Sequence, residues 1–279
     1  MGHEIILKSK LDFIALMNYQ ELCAQSIALI KETGAYILAQ RKDFTEDAVE
    51  TKSLNSLVSF VDKTAEQKLV AGLSALLPKA GFIAEEGTSD KIGDTYNWVI
   101  DPLDGTTNFI HGVPLYSISV ALMENNQPVI GVVYEINLDE CFYAWKDSAA
   151  YLNGHTISVT QTQNLSDTLL ATGFPYHDFD KMEGFLASLR YFMENTRGLR
   201  RLGSAAVDLA YVACGRFDGF YEYGLNPWDV AAGAFIVERA GGKSGYFTDR
   251  EEYTDGSEIL ATNGLIHTEM QELIQRFYG

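Results

Sequence analysis

Two aspartates follow an apolar run in the first half of the chain, three positions apart. The segment NWVIDPLDGTTNF, residues 97–109, places Asp101 and Asp104 on either side of Pro102, with Gly105 next in line. Proline fixes φ and removes a backbone donor, and glycine lets the chain turn sharply. Two converging carboxylates are costly unless a cation lies between them, and oxygen ligands at this density suit Mg²⁺. The segment predicts a magnesium site, although a solvated Asp-Gly turn stays an alternative for this motif alone.

The turn after these aspartates offers further groups. The carbonyl of Leu103 lies in the same turn and is a candidate metal ligand. The backbone N–H groups of Gly105 and Thr106 come next and could form a nest for an anion such as phosphate. A cation and a phosphate would then be bound side by side.

Other segments carry carboxylates with two open interpretations. In FIAEEG, Glu85 and Glu86 follow a short apolar strand. Adjacent side chains on a strand point to opposite sides, so at most one of the two can join a site. Asp229 in NPWDVAAGAFIVERAGG and Asp62 in SFVDKTAEQKL each open a predicted helix. A helix N-terminus also favours a carboxylate without any ligand, so both roles stay open for these two.

Several other chemistries are not expected. The five histidines have no ligand spacing, and Ser204 has no evident histidine partner, which disfavours a Ser-His-Asp hydrolase. The gap between Asp101 and Asp104, with proline inside it, departs from the D-x-D-x-T pattern of phosphatases that form an aspartyl-phosphate intermediate.

Helices and strands must bring these segments together. Apolar periodicity predicts helices over residues 11–42, 62–77, 181–194, 203–214, 226–240 and 265–277. Short apolar runs predict strands over residues 81–84, 97–100, 116–123, 128–134, 140–145, 168–172, 219–223 and 259–262. This order predicts layered α+β or α/β packing. No linker or repeat interrupts it, so we expect a single domain over residues 1–279 with a soft division near residues 150–166.

Composition restricts the partners. With 38 acidic and 21 basic residues, the 279-residue chain has a net charge of −17. Such a surface repels nucleic acid and anionic membranes, whereas bound metal ions would still let it bind phosphate. Three widely spaced cysteines give no zinc or redox pattern. The N-terminus is a poor signal peptide and no apolar run is long enough to span a membrane, so we expect a cytoplasmic protein.

Together, the acidic segments resemble the inositol monophosphatase family. DPLDGTTNFIHGVP is similar to the metal-binding signature of that family, and NPWDVAAGAFIVERAGG is similar to its C-terminal signature. AEEG stands where the first glutamate ligand is expected. The three segments occur in the family's order, and the resemblance covers nearly the whole chain.

The resemblance implies a set of site residues and a fold. It implies two or three Mg²⁺ ions per active site, with ligands from Glu85, Asp101, the Leu103 carbonyl, Asp104 and Asp229. It implies substrate contacts from Asp104, Gly105, Thr106, Gly203, Ser204, Ala205, Glu222 and Asp229. It also implies an αβαβα sandwich, a homodimer and sensitivity to lithium.

The implied reaction is direct attack of water on a phosphate monoester, most directly myo-inositol monophosphate. Glu85 and Thr106 would orient or deprotonate the water, and Asp62 would support Thr106. The segment KSLNSLVSFVD departs from bacterial relatives, with Ser56 where Asp is usual and Ser59 where Thr is usual, while Lys52 fits. This departure bears on the loop over the metal site and on a third, weaker metal.

Rival functions stay open at this stage. Related phosphatases act on 3′-phosphoadenosine 5′-phosphate, fructose 1,6-bisphosphate or histidinol phosphate. DGTTNF differs from the DGTKEF that is typical of the nucleotide enzymes, and Glu222 would repel a second phosphate. From another class, a metal-stabilised binding or regulatory protein without turnover is also considered, although it would not need the full carboxylate set.

Overall fold

The computed structural model describes residues 17–42, 49–53, 56–176, 179–248 and 255–278, with side chains described outside residues 49–59. The helices are α1 (Tyr19–Lys42), α2 (Phe60–Leu76), α3 (Thr106–His111), α4 (Met182–Asn195), α5 (Ala205–Ala213), α6 (Pro227–Arg239) and α7 (His267–Tyr278). The strands before residue 160 are β1 (Val49–Ser53), β2 (Ser56–Ser59), β3 (Gly81–Ala84), β4 (Tyr96–Asp104), β5 (Ser117–Glu124), β6 (Gln127–Glu135), β7 (Glu140–Trp145), β8 (Ala150–Leu152) and β9 (His155–Ile157). The later strands are β10 (Leu169–Thr172), β11 (Gly198–Arg200), β12 (Gly219–Tyr223), β13 (Lys243–Gly245) and β14 (Glu258–Thr262).

Two mixed sheets form the frame. The first has the order β3-β4-β5-β6-β7-β8-β9, with β3 and β4 parallel and the other pairs antiparallel. The second has the order β11-β10-β12-β14-β13, with β10 parallel to both of its neighbours. The chain passes from the first sheet to the second between β9 and β10. The single-domain organisation with a soft division in this region stays a prediction.

The helices cover both faces of each sheet. Along β4, Trp98 packs among the residues of α1 and α2, whereas Val99 faces α5 and α6 on the other side. Along β12, Phe220 packs in the same middle layer, and Tyr221 faces α4 and α7. The alternation follows from the two-residue period of a strand. The layers are therefore α1/α2, first sheet, α5/α6, second sheet and α4/α7, which confirms the predicted αβαβα sandwich.

The pairing of β4 with β5 is irregular at the two aspartates. Asp101 pairs with Ser119 and Asp104 with Ser117, so two residues of β4 lie opposite one residue of β5. Pro102 cannot donate to the ladder, and a bulge accommodates such a residue. The strand continues through the bulge to Asp104, so the prediction that it stops at residue 100 is wrong.

The longer predicted elements agree with the structure to within a few residues, and β3, β7 and β12 have the predicted bounds. The first helix begins at Tyr19, and the part predicted over residues 11–16 lies outside the described residues. The sequence did not predict the short strands β1, β2, β8, β9, β11 and β13 or the two-turn helix α3. In the described part of the chain, no helix is long and apolar enough to cross a bilayer.

Candidate active site

A cavity of about 180 Å³ opens where the end of β4 meets the N-termini of α3, α5 and α6. Its lining includes most residues singled out in the sequence, namely Glu85, Asp104, Gly105, Thr106, Gly203, Ser204, Ala205, Glu222 and Asp229. Of the adjacent pair Glu85 and Glu86, the first is among the lining residues. The structure thus brings together segments that lie more than a hundred residues apart in the chain.

Three carboxylates converge beside this cavity. One oxygen from each of Asp101, Asp104 and Asp229 lies within 4.8 Å of the others. The bulge in β4 places the first two, and the first turn of α6 places the third. Asp229 also accepts the backbone N–H of Asn226 at 2.7 Å in a capping box. Asp229 therefore both caps α6 and belongs to the carboxylate cluster.

The cluster is electrostatically costly without a counter-charge. Burial is the largest cause that raises the pKa of Asp101 well above its usual range, and the nearby charges of Glu85 and Asp104 raise it further. Burial also raises the pKa of Asp229, followed by the charge of Asp104. A divalent cation relieves this kind of repulsion, and an all-oxygen donor set suits a hard cation. The side chains present therefore fit a metal ion.

Asp104 joins the cluster to α5. Its Oδ2 accepts the hydroxyl of Ser204 at 2.6 Å and the backbone N–H of Ala206 at 2.8 Å. Ser204 is the N-cap of α5 and also accepts the N–H of Val207. Burial raises the pKa of Asp104, while the Ser204 hydrogen bond opposes that shift. This aspartate is thus held in one orientation by the helix N-terminus.

The turn after β4 places the hydroxyl-bearing residue Thr106 in the lining of the cavity. Thr106 Oγ1 lies 3.0 Å from Asp62 Oδ1 and 2.9 Å from the carbonyl oxygen of Leu103. Gly105, at φ 93°, is the N-cap of α3, and a side chain there would crowd the Gly203 carbonyl. Asp62 is 1% exposed and lies in the first turn of α2. Asp62 is the third residue of α2, so the interpretation of it as an N-cap is wrong, and its side chain instead bonds a residue 44 positions away.

The far wall of the cavity is polar and buried. Glu222 is 6% exposed, and a Cβ at Gly173 would overlap its carboxylate. Asp208 is 1% exposed, and its Oδ1 has no hydrogen-bond partner among the described residues. Burial first, and then the charge of Glu222, raises the pKa of Asp208 well above its usual range. The Cζ atom of Arg201 lies 5.4 Å from the ring centroid of Phe174, and Arg201 lines the same cavity.

Asp208 and Arg201 were not predicted from the sequence. The available signal for Asp208 is one acid within the apolar run AAVDLAYVA. Arg201 offers no signal beyond its place before GSAA. The side chains of Lys52, Ser56 and Ser59 lie outside the described part of the structure, so the departures at the two serines stay untested.

The layered fold and the acidic cavity belong to a hydrolase of phosphoric monoesters. The sequence model of the inositol monophosphatase family matches residues 18–277, and the chain belongs to this family. This confirms the resemblance of the motifs.

Three relatives illustrate the range of the family. The chain is 42% identical over 221 residues to a Pseudomonas aeruginosa protein named Nus factor SuhB, covering 77% of this chain and 82% of that protein. It is 37% identical over 250 residues to a Thermotoga maritima protein named fructose-1,6-bisphosphatase/inositol-1-monophosphatase, covering 89% and 94%. The solved structure of an inositol monophosphatase from Anabaena (Nostoc) has a TM-score of 0.82 and 34% identity, covering 93% of this chain and 97% of that one.

Proposed function

We propose that this protein hydrolyses the phosphate ester of a small polyhydroxylated molecule, most directly myo-inositol monophosphate, with Mg²⁺. The observation that carries the proposal is the cluster of Asp101, Asp104 and Asp229 beside the Gly105–Thr106 turn, with Glu222 across the cavity. The cluster suits cations, the turn suits a phosphate, and the glutamate suits hydroxyl groups.

The metal ligands are proposed as Glu85, Asp101, the carbonyl of Leu103, Asp104 and Asp229, holding two or three ions. When bound, Mg²⁺ supplies Lewis-acid stabilisation of the phosphoryl oxygens and of the departing oxygen. The buried acids of the chain bind the cations and keep them fixed. The N–H groups of Gly105 and Thr106 would hold the phosphate in the adjacent turn.

The chain's own groups orient the attacking water. The Thr106 hydroxyl is held between Asp62 and the Leu103 carbonyl, so its lone pair is available to a water hydrogen in the cavity. Glu85 lines the same cavity and would accept a proton from the water as its oxygen bonds to phosphorus. The ester P–O bond breaks, and the departing alkoxide takes a proton from solvent. Positioning and charge neutralisation supply most of the rate enhancement in such transfers.

The alcohol part of the substrate would bind on the side of the cavity where Glu222 lies. Glu222 would accept hydrogen bonds from ring hydroxyls, and the segment from Gly203 to Ala205 would line the ring. A site that bonds hydroxyls rejects analogues without them, because its polar groups are left unpaired.

A sugar bisphosphate is the second candidate. Arg201 places a cation in the cavity wall, where a second phosphate would find a partner. The Thermotoga maritima relative is named for both activities. Arg201 would equally bind the second phosphate of 3′-phosphoadenosine 5′-phosphate, so the kinetic test includes that substrate as well as histidinol phosphate. The Pseudomonas aeruginosa relative is named Nus factor SuhB, and that name applies to that protein. The net charge of −17 gives no support for a nucleic-acid-binding surface on this chain.

The test is a comparison of kcat/KM for inositol 1-phosphate, fructose 1,6-bisphosphate, 3′-phosphoadenosine 5′-phosphate and histidinol phosphate at saturating Mg²⁺. The proposal expects the highest value for inositol 1-phosphate. A clear preference for fructose 1,6-bisphosphate that is lost in Arg201→Gln would favour the second candidate instead.

Lithium inhibition, a homodimer and a cytoplasmic location stay proposals. Lithium would replace a weakly held Mg²⁺, so titration of LiCl at low Mg²⁺ tests it. Light scattering of the purified protein tests the dimer, and fractionation of cells that express it tests the location.

A further inference from the structure

Glu66 is a completely buried acid in α2 that touches neither the cavity nor the carboxylate cluster. It is 0% exposed. Its Oε2 accepts the backbone N–H of Glu86 at 2.7 Å, and its Oε1 accepts the backbone N–H of Thr88 at 2.7 Å. Both oxygens therefore clamp the turn that follows β3, and hydrogen bonds to a carboxylate are among the stronger ones in proteins.

The clamped turn carries Glu85, which lines the cavity. On one side, the Glu85 N–H donates to the Ile100 carbonyl of β4 at 3.2 Å. On the other side, Gly87 adopts a φ of 63° and closes the turn with a bond to the Ala84 carbonyl at 3.3 Å. Glu66 binds the peptide that directly follows Glu85, so it restricts the direction in which the Glu85 side chain leaves the turn.

The same face of α2 also holds Asp62, which supports the Thr106 hydroxyl proposed to orient the water. Asp62 precedes Glu66 by four positions, and residues at this spacing lie on one face of a helix. Asp62 accepts the Thr106 hydroxyl at 3.0 Å. One rigid helix thus sets the position of Thr106 directly and that of Glu85 through the following peptide.

We propose that Glu66 is a positioning residue that fixes Glu85 relative to Thr106, and thereby sets the affinity of the site for a divalent cation and the rate of hydrolysis. The inference rests on the proposed function. Groups outside the metal ligands that orient them typically change metal affinity or activity 10- to 100-fold when they are replaced.

The test compares Glu66→Gln with the control Asp218→Asn in the full-length protein. Glutamine keeps the size of Glu66 but turns an NH₂ group toward one of the two N–H donors. Asp218 is also buried, 6% exposed, and accepts the Leu169 N–H at 2.7 Å and the Thr160 hydroxyl at 2.6 Å, and none of these residues lines the cavity. Both substitutions remove one buried charge, but Glu66→Gln disturbs a backbone contact, whereas Asp218→Asn can keep the Leu169 N–H and changes the contact with the Thr160 hydroxyl.

Calorimetric titration of metal-free protein with Mg²⁺ should show an affinity about 10-fold weaker for Glu66→Gln and close to wild type for Asp218→Asn. In Glu66→Gln, kcat should also fall about 10-fold or more. The KM for inositol 1-phosphate should change little, because no substrate contact is removed. Hydrogen exchange at the Glu86 and Thr88 amides should become faster.

Wild-type Mg²⁺ affinity and kcat in a folded but less stable Glu66→Gln would overturn the inference, as would equal losses in the control. If Glu66→Gln fails to fold, Glu66→Asp, which keeps the charge and reaches one donor, is judged by the same criteria. Because the titration needs no turnover, a wild-type protein that binds Mg²⁺ without cleaving inositol 1-phosphate would contradict the proposed function alone.

Discussion

The protein buries carboxylates in two places with opposite consequences for stability. At the cavity, Asp101 and Asp229 lie close to other acids, and burial and mutual repulsion raise the pKa of both. In the frame, Glu135 is equally buried but accepts the Leu138 N–H at 2.6 Å and two donors of Asn137. A buried charge with matched donors stabilises its surroundings, whereas one beside other acids destabilises the fold until a cation binds. The difference distinguishes the mutually repelling acids beside the cavity from a frame acid such as Glu135.

The largest expected effect is at the cavity. Asp101→Asn should lower kcat/KM at least about 100-fold, because charge stabilisation worth several kcal/mol is lost. The metal-free variant should nevertheless melt at a temperature no lower than wild type, since one repelling charge is removed. Steady-state kinetics and calorimetry in EDTA measure the two quantities. Near-normal activity, or a marked loss of metal-free stability, would remove the distinction between the two regions.

The frame acid should behave in the opposite way. Glu135→Ala removes the buried acceptor of the Leu138 and Asn137 N–H groups and should lower the free energy of unfolding by about 2 kcal/mol. The kcat/KM per folded molecule should stay near wild type. Urea unfolding and kinetics at 20 °C check both, and a stable variant with low activity would contradict the assignment.

The two regions also differ in how far the sequence revealed them. Asp101, Asp104 and Asp229 were predicted because each stands in a short local motif, and β3, β7 and β12 were predicted because their apolar runs are bounded by turn residues. Glu66 was missed because its partners lie 20 and 22 positions away, and nothing local distinguishes it from a helix surface acid. Asp208 was missed because only tertiary packing places it against Glu222. Strands such as β8 and β9 have three residues each, too few to show an apolar run or an alternating pattern.

The buried histidine of α7, His267, should make the stability of the fold depend on pH in the opposite direction to the cavity acids. Burial lowers the pKa of His267 to about 4. The unfolded chain binds this proton near its usual pKa of about 6.5, so the stability that the neutral imidazole contributes is lost as pH falls from about 6.5 toward 4. The raised pKa values of the cavity acids instead make the metal-free fold more stable as pH falls.

The difference between wild type and His267→Gln isolates the imidazole. Relative to pH 7.5, wild type should lose about 2 kcal/mol more than the variant at pH 5, measured by urea unfolding in EDTA. Parallel pH curves for the two proteins would show that His267 is protonated without cost.

The smallest expected effect is on specificity. Glu222→Gln should lower kcat/KM for inositol 1-phosphate about 10-fold and leave a simple aryl phosphate nearly unchanged, because a charged acceptor for hydroxyls is lost. Gly173→Ala, whose Cβ would displace the same carboxylate, should reproduce the pattern. Equal losses on both substrates would move Glu222 from substrate recognition to support of the metal site.

The central claim is that the converging carboxylates form a metal site required for hydrolysis, and titration of metal-free protein with Mg²⁺ tests it most directly. We expect saturable binding, a rise in melting temperature and the return of inositol 1-phosphate hydrolysis over one range of Mg²⁺ concentration, with all three lost in Asp229→Asn. Hydrolysis that survives removal of the metal by EDTA, or unchanged Mg²⁺ binding in Asp229→Asn, would contradict the account.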